Sequence, residues 1–317
     1  MTQPRMCLKG TTYQVTRTCQ SRRFLLTPSA LVNATILYCL SRVASVLGVE
    51  VHSVSVQANH MHLVVTDFEG CISRFMQQMD RLIAVCLVAY YRGTHPNEHL
   101  DGIWAKGHFN AVALLNREAV LKALVYVFTN PTKDGQVPDY RKWPGLSSRP
   151  ADWAREVRYA ERPELFFNQE DRNWVSVPYR FTVPPMLRDT PVERLIEDVE
   201  ALVRQEQAAI RATMAQEGRS FRGVKAVLRQ DPFDSPNSSR PKGKVSPTVA
   251  AGGDGKLLQE GKRLVRSFRE LYREAWHNYV SGAPALFPAG TLKMREHHHV
   301  PCDVVDAPWC IAALTPS

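Results

Sequence analysis

Two β-rich runs, residues 49–57 (VEVHSVSVQ) and 61–66 (MHLVVT), are separated by little more than Ala58 and Asn59. So short a connection can join only antiparallel neighbours, because a parallel crossover needs a dozen residues or more. A hairpin is therefore expected here, and the rest of the chain must pack around it. Residues 11–18 (TTYQVTRT) alternate and are rich in β-branched side chains, which predicts another strand. Pro28 opens a helix running to about residue 47, with Leu31, Thr35, Tyr38 and Val46 at helical spacing and Gly48 as its stop. A long helix is expected over 71–91, with Phe75, Met79, Leu82, Ile83 and Cys86 on one side. A loop over 93–106 leads to a strand over 109–115. A helix over 118–129 follows and is expected to stop at Asn130-Pro131. The order β-α-β-β-α-β-α predicts an α+β fold: a ferredoxin-like antiparallel sheet with packed helices.

Beyond this core the signals weaken. Residues 138–190 hold seven prolines and read as irregular. A helix is expected over 192–216, burying Leu195, Ile196, Val199, Leu202 and Val203. Residues 231–256 have the composition of a flexible linker. An amphipathic helix follows over 257–280, with Leu264, Phe268, Leu271 and Ala275 on one stripe. The expected division is 1–150 as the core domain, 151–230 as an irregular then helical extension, 231–256 as linker, and 257–317 as a C-terminal helix and tail.

The 317 residues are 44 % hydrophobic, enough to bury a full core, and the formal net charge is +9. That charge favours a polyanionic partner, although solvated lysines account for many basic chains. Seven scattered cysteines without a Cys-x-x-Cys argue for a reduced, cytoplasmic protein and against a disulfide scaffold. The longest strictly apolar run is the ten residues 82–91, about half of what a membrane span needs, so no membrane partner is expected.

The chemistry-bearing residues fall in two clusters. On a strand, His60 and His62 point to the same face, about 7 Å apart along the backbone, while Met61, Leu63 and Val65 face the other way. Two imidazoles from one strand face make a pair of metal ligands; two unrelated surface histidines is the plainer alternative. In Tyr126-Val-Phe-Thr-Asn130-Pro131 the tyrosine and asparagine lie one helical turn apart. An amide oxygen suits a hard cation, and the phenol one turn away could reach a phosphate held there. The alternative is a core tyrosine and an asparagine cap before proline.

At these residues the sequence resembles the single-tyrosine HUH transposases, in particular the REP-associated tyrosine transposases. The likeness is carried by QANHMHLVV (57–65), Ile103-Trp104, YVFTNPTKDG (126–135) and WPGLSS (143–148), with YQVTRTCQSRRF (13–24) as the first strand and basic turn. It covers roughly residues 8–150. The resemblance implies His60 and His62 as metal ligands around the hydrophobic Met61, and Asn130 as the third, polar ligand. It implies Tyr126 as the nucleophile, forming a 5′-phosphotyrosine and freeing a 3′-hydroxyl. It further implies Mg²⁺ or Mn²⁺ as cofactor and hairpin-bearing single-stranded DNA as substrate, with the protein acting as a monomer or homodimer. Histidines that precede the tyrosine fit transposases and replication initiators, not relaxases. Two alternatives stay open: a domesticated, non-cleaving binder of hairpin DNA, and a replication-initiator-type nuclease.

Arg17, Arg22, Arg23, Trp104 and Lys106 are candidate DNA contacts, the arginines to phosphates and Trp104 to an unpaired base. A solvated basic turn and a loop-anchoring tryptophan are the alternatives. His108 flanks the same loop. Lys262, Arg263, Arg266, Arg269 and Arg273 read as a solvated helix face, and His297–His299 with Cys302 and Cys310 match no standard zinc spacing.

Overall fold

The computed structural model describes residues 3–107, 109–164, 173–237 and 247–303. Its elements in chain order are β1 (Thr11–Thr18), α1 (Ala30–Leu47), β2 (Val49–Val56), β3 (His60–Asp67), α2 (Ile72–Thr94), β4 (Asn110–Leu114) and α3 (Arg117–Lys133). There follow β5 (Arg158–Glu161), β6 (Ser176–Tyr179), α4 (Val192–Gln216), α5 (Val224–Leu228), β7 (Val249–Ala250), α6 (Gly255–Val280) and α7 (Lys293–His298).

The main sheet runs β2-β3-β1-β4-β7, antiparallel except for the β4–β7 edge. Its first four strands have the order expected of a ferredoxin-like fold, and the hairpin β2–β3 lies at one edge. Helices α1 and α2 pack side by side, while α3 packs across β2 and β3 and carries α4 on its back. Both faces of β3 are thus covered, and all eight of its residues are buried. Met61, Leu63 and Val65 join the large apolar core. The opposite face is polar: Thr12 pairs with Thr66, Thr16 with His62 and Thr18 with His60. Buried polar groups need partners, so this face must hold either a closed hydrogen-bond network or a site.

Helix α1 begins with the Ser29 side chain accepting from the Val32 N–H and ends at Gly48 in the left-handed region (φ 64°). It is apolar and long enough to cross a membrane by composition, yet half of it is buried in the fold. Residues 143–148 close the free edge of β2. The Val56 N–H donates to the Leu146 carbonyl, the Ser148 N–H donates to the Val54 carbonyl, and the Trp143 indole donates to the Val56 carbonyl at 2.8 Å. The conspicuous WPGLSS stretch thus protects an exposed strand edge.

Several expectations need correction. Helix α3 does not stop at Asn130-Pro131 but continues to Lys133, with Pro131 inside it. A proline removes one donor and one hydrogen bond, and at the last turn of a helix that loss is small. Residues 138–190 are not wholly irregular, since β5 and β6 form a two-stranded sheet. The stretch read as a linker includes β7, paired parallel to β4, and the start of α6. Gly252 is there for packing: it has φ 62°, and a Cβ there would meet the Ala119 nitrogen at 2.6 Å. Residues 238–246 of that stretch lie outside the described residues. Leu202, expected on a buried face, is exposed, as are Val46 and Leu271, read from their helical spacing and apolar stripe. The extension shares the main core through Leu195, Val199, Val203, Val249 and Val265, with a small separate cluster at Ala275, Phe287 and Met294.

Candidate active site

The two histidines and the tyrosine come together where α3 crosses β3. The imidazoles of His60 and His62 pack edge to face, their centroids 4.9 Å apart. The Tyr126 ring stands edge to face on His62 at 5.1 Å. His60 and His62 are buried and Tyr126 is half-buried. The pairing follows from two periodicities: strand alternation puts His60 and His62 on one face, and the helical turn puts Tyr126, Asn130 and Asp134 in one row above them.

Each imidazole is held through its Nδ1. Asn59, in the β2–β3 turn, donates from Nδ2 to the Arg22 carbonyl (3.1 Å), so its Oδ1 accepts from His60 Nδ1–H at 2.7 Å. That directs His60 Nε2 into the site, 3.4 Å from an Asp134 carboxylate oxygen. Thr16, the strand partner of His62, lies 2.9 Å from His62 Nδ1 through its hydroxyl. Orientation of ligand imidazoles by such outer contacts is the usual means of fixing the nitrogen that binds a metal.

Asn130 is almost fully buried, and among the described residues its Oδ1 accepts no hydrogen bond. An unpartnered buried amide oxygen costs about 1–3 kcal/mol, so its retention needs a reason. A hard cation supplies one: the donor set of two imidazoles and an amide oxygen fits Mg²⁺ or Mn²⁺ and leaves positions for substrate oxygens. Among the described residues no group of three or more His, Cys, Asp or Glu is placed to hold a metal ion by itself, so a cation here needs the Asn130 amide as well.

The candidate DNA contacts divide. Arg17 is turned inward: its Nε lies 2.7 Å from Asp80, and it donates to the carbonyls of Ala105 and Gly107. Burial pushes the Asp80 carboxyl up, against the pull of the Arg17 guanidinium. Trp104 donates from its indole to the Asp80 carbonyl at 2.8 Å and so anchors its loop to α2. Trp104 therefore takes the loop-anchoring alternative, whereas Arg17 is held inward and is not part of a solvated basic turn. Arg23 donates to the His99 carbonyl and lies over Phe233. Arg22 sits at φ 58° in the turn that Asn59 ties down. Lys106 is exposed, and His108 is outside the described residues.

Three residues near the site escaped the sequence reading. Asn59 orients His60, Asp134 faces it, and Lys133 places its ammonium 4.7 Å from the centre of the Tyr126 ring. The helix row 126, 130, 134 was the available signal for Asp134, hidden by the expected stop at Pro131.

No family model matches the chain, and no curated protein matches it. One similar solved structure is a REP-associated tyrosine transposase bound to a REP hairpin. It is 21 % identical, with a TM-score of 0.39, covering 54 % of this chain and 94 % of that one. Another is a candidate transposase from Deinococcus radiodurans R1, 15 % identical with a TM-score of 0.29, covering 40 % of this chain and 95 % of that one. Likenesses at this level do not decide the function, which rests on the geometry of the site.

Proposed function

We propose that the chain is a transposase of the REP-associated, single-tyrosine type, which cuts and rejoins single-stranded DNA beside hairpins. One observation carries the reading: the Tyr126 ring and the His60–His62 pair meet where α3 crosses β3, with the buried, unpartnered Asn130 amide oxygen one helical turn along from Tyr126. The motif resemblance and the net charge of +9 support a DNA substrate.

In this reading the Tyr126 oxygen attacks a DNA phosphorus. A bond forms between the phenolic oxygen and phosphorus, and the bond from phosphorus to the 3′-oxygen breaks. The phenol gives up its proton, and the departing 3′-oxygen takes one. One phosphodiester replaces another, so the reverse attack by a 3′-hydroxyl rejoins the strand without an external energy source. His60, His62 and Asn130 would hold Mg²⁺ or Mn²⁺, which when bound polarises the scissile phosphate and offsets its developing charge. Asn59 and Thr16 keep the two imidazoles in register. The Lys133 ammonium beside Tyr126 adds positive charge where the phosphate would sit.

The test is incubation with a labelled hairpin oligonucleotide carrying a single-stranded flank, in Mn²⁺, followed by a denaturing gel. The wild-type chain gives a protease-sensitive covalent adduct, and Tyr126→Phe gives none while still binding the hairpin. Binding without any wild-type adduct would favour the non-cleaving alternative.

A further inference from the structure

We infer that Asp134 is a fourth, carboxylate donor of the cation site, an inference that rests on the reading of His60, His62 and Asn130 as its other ligands. Asp134 caps α3, its N–H donating to the Asn130 carbonyl at 2.9 Å, so it stands one turn beyond Asn130. Its side chain is largely buried, and Oδ2 lies 3.4 Å from His60 Nε2. That nitrogen is the one left facing the site once Asn59 has taken Nδ1. Neighbouring donors on one small cation stand about 3 Å apart, because each lies about 2.1 Å from the ion. The separation observed is close to that.

The row along α3 reinforces the assignment. Tyr126 touches His62 at one end and Asp134 touches His60 at the other. Asn130 stands between them, one turn from each. The helix thus offers an oxygen donor at two successive turns over the pair of imidazoles.

The chemistry of the donors gives Asp134 a distinct task. Two imidazoles and an amide are neutral, and nitrogen donors favour late transition metals such as Ni²⁺. A carboxylate adds a negative charge and a hard oxygen, which favours Mg²⁺ and Mn²⁺. Asp134 would therefore set which cation the site selects. A purely structural Asp134, tying the end of α3 to the β2–β3 turn through His60, would leave that selection untouched.

The experiment is Mn²⁺ binding to the full-length chain, followed by calorimetry or by the loss of the free Mn²⁺ paramagnetic signal, with Mg²⁺ and Ni²⁺ as competitors. Asp134→Asn keeps the size and the cap, and thermal melting checks that it folds. The expected result is a loss of Mn²⁺ affinity of about tenfold or more. Competition by Mg²⁺ should fall further than competition by Ni²⁺, and Asp134→Glu should recover part of the loss. An Asp134→Asn chain that is folded, with wild-type affinity and an unchanged Mg²⁺ to Ni²⁺ ratio, overturns the inference while leaving the histidine site standing. His60→Ala is the control that separates the two. Should wild type and His60→Ala bind Mn²⁺ equally, or neither bind it, the metal reading itself fails and Asp134 with it.

Discussion

His52 and the His60–His62 pair lie on adjacent strands of one sheet, all three buried and all among the polar residues of one face, yet their surroundings differ in kind. His52 sits at a β-bulge between Val51 and Ser53. Its Nδ1–H donates to the Thr182 carbonyl at 2.9 Å, and its Nε2 accepts from the Thr66 hydroxyl at 2.8 Å. Thr66 in turn accepts from Thr12 at 2.8 Å. Every polar atom of that imidazole is engaged, and the chain of hydrogen bonds fastens the segment before α4 to three strands. Four residues past the end of the bulged strand, the cluster at His60 and His62 is organised differently. Each Nδ1 is held, each ring leans toward a helix carrying a phenol, an amide and a carboxylate, and the amide oxygen of Asn130 has no acceptor role within the described residues. A closed network stabilises; an incompletely closed one marks a place where something else binds. Histidine content alone does not separate a site from a staple, whereas the bookkeeping of donors and acceptors does.

The sharpest way to break this contrast is to remove one imidazole from each cluster. His60→Ala should abolish the covalent DNA adduct, a loss of roughly 10³-fold or more. Its melting temperature should fall by less than that of His52→Ala, since the partners it leaves behind, Asn59 and Asp134, are side chains that can turn toward solvent. His52→Ala should do the opposite. It leaves the Thr182 carbonyl without its donor and opens a cavity, at a cost of about 2–4 kcal/mol in urea unfolding. Adduct formation per folded molecule should be unchanged. Equal loss of stability in both variants would erase the distinction.

A second test uses pH and has a smaller effect near neutrality. Burial holds the His52 imidazole neutral, pushing it down to about 3. In the unfolded chain it takes up a proton near 6.5. A depressed folded value means that the stabilising contribution is fully present above about pH 6.5 and is lost as pH falls toward 3. Carboxylates also contribute to acid unfolding, so the informative quantity is the difference between wild type and His52→Ala across that window. That difference should shrink steadily between pH 6.5 and 4. A difference that stays constant would mean that His52 is not held neutral in the fold.

Much of this was legible in the sequence, for identifiable reasons. Strand alternation placed His60 and His62 together, and the short Ala58-Asn59 turn forced the hairpin that carries them. The helical turn placed Asn130 below Tyr126. What stayed hidden depended on contacts distant in sequence. Arg17 reads as a free cation until Asp80, 63 residues later, is seen 2.7 Å away. Trp104 could not be told from a stacking platform until its indole was found on the Asp80 carbonyl. Gly252 and Gly253 read as linker because composition does not distinguish flexibility from close approach, and here Gly252 lies against the start of α3. Asp134 was masked by Pro131, which ends most helices but not this one.

The smallest expected effect bears most directly on why Asn130 is present. It is buried inside α3, where asparagine is a poorer helix former than leucine, and its amide oxygen accepts no hydrogen bond among the described residues. Leucine has the same heavy-atom branching and no polar atom to satisfy. Asn130→Leu should therefore raise stability in metal-free buffer, by about 1 kcal/mol in urea unfolding, while eliminating the adduct. Adding Mn²⁺ should then reverse the order, since a ligand that binds only the folded state stabilises in proportion to its occupancy. Wild type would gain with rising Mn²⁺ and the leucine variant would gain much less. A variant already less stable than wild type without metal would mean that the Asn130 amide supports the helix, as the Thr182 carbonyl and Thr66 support His52. The two clusters would then be the same kind of object.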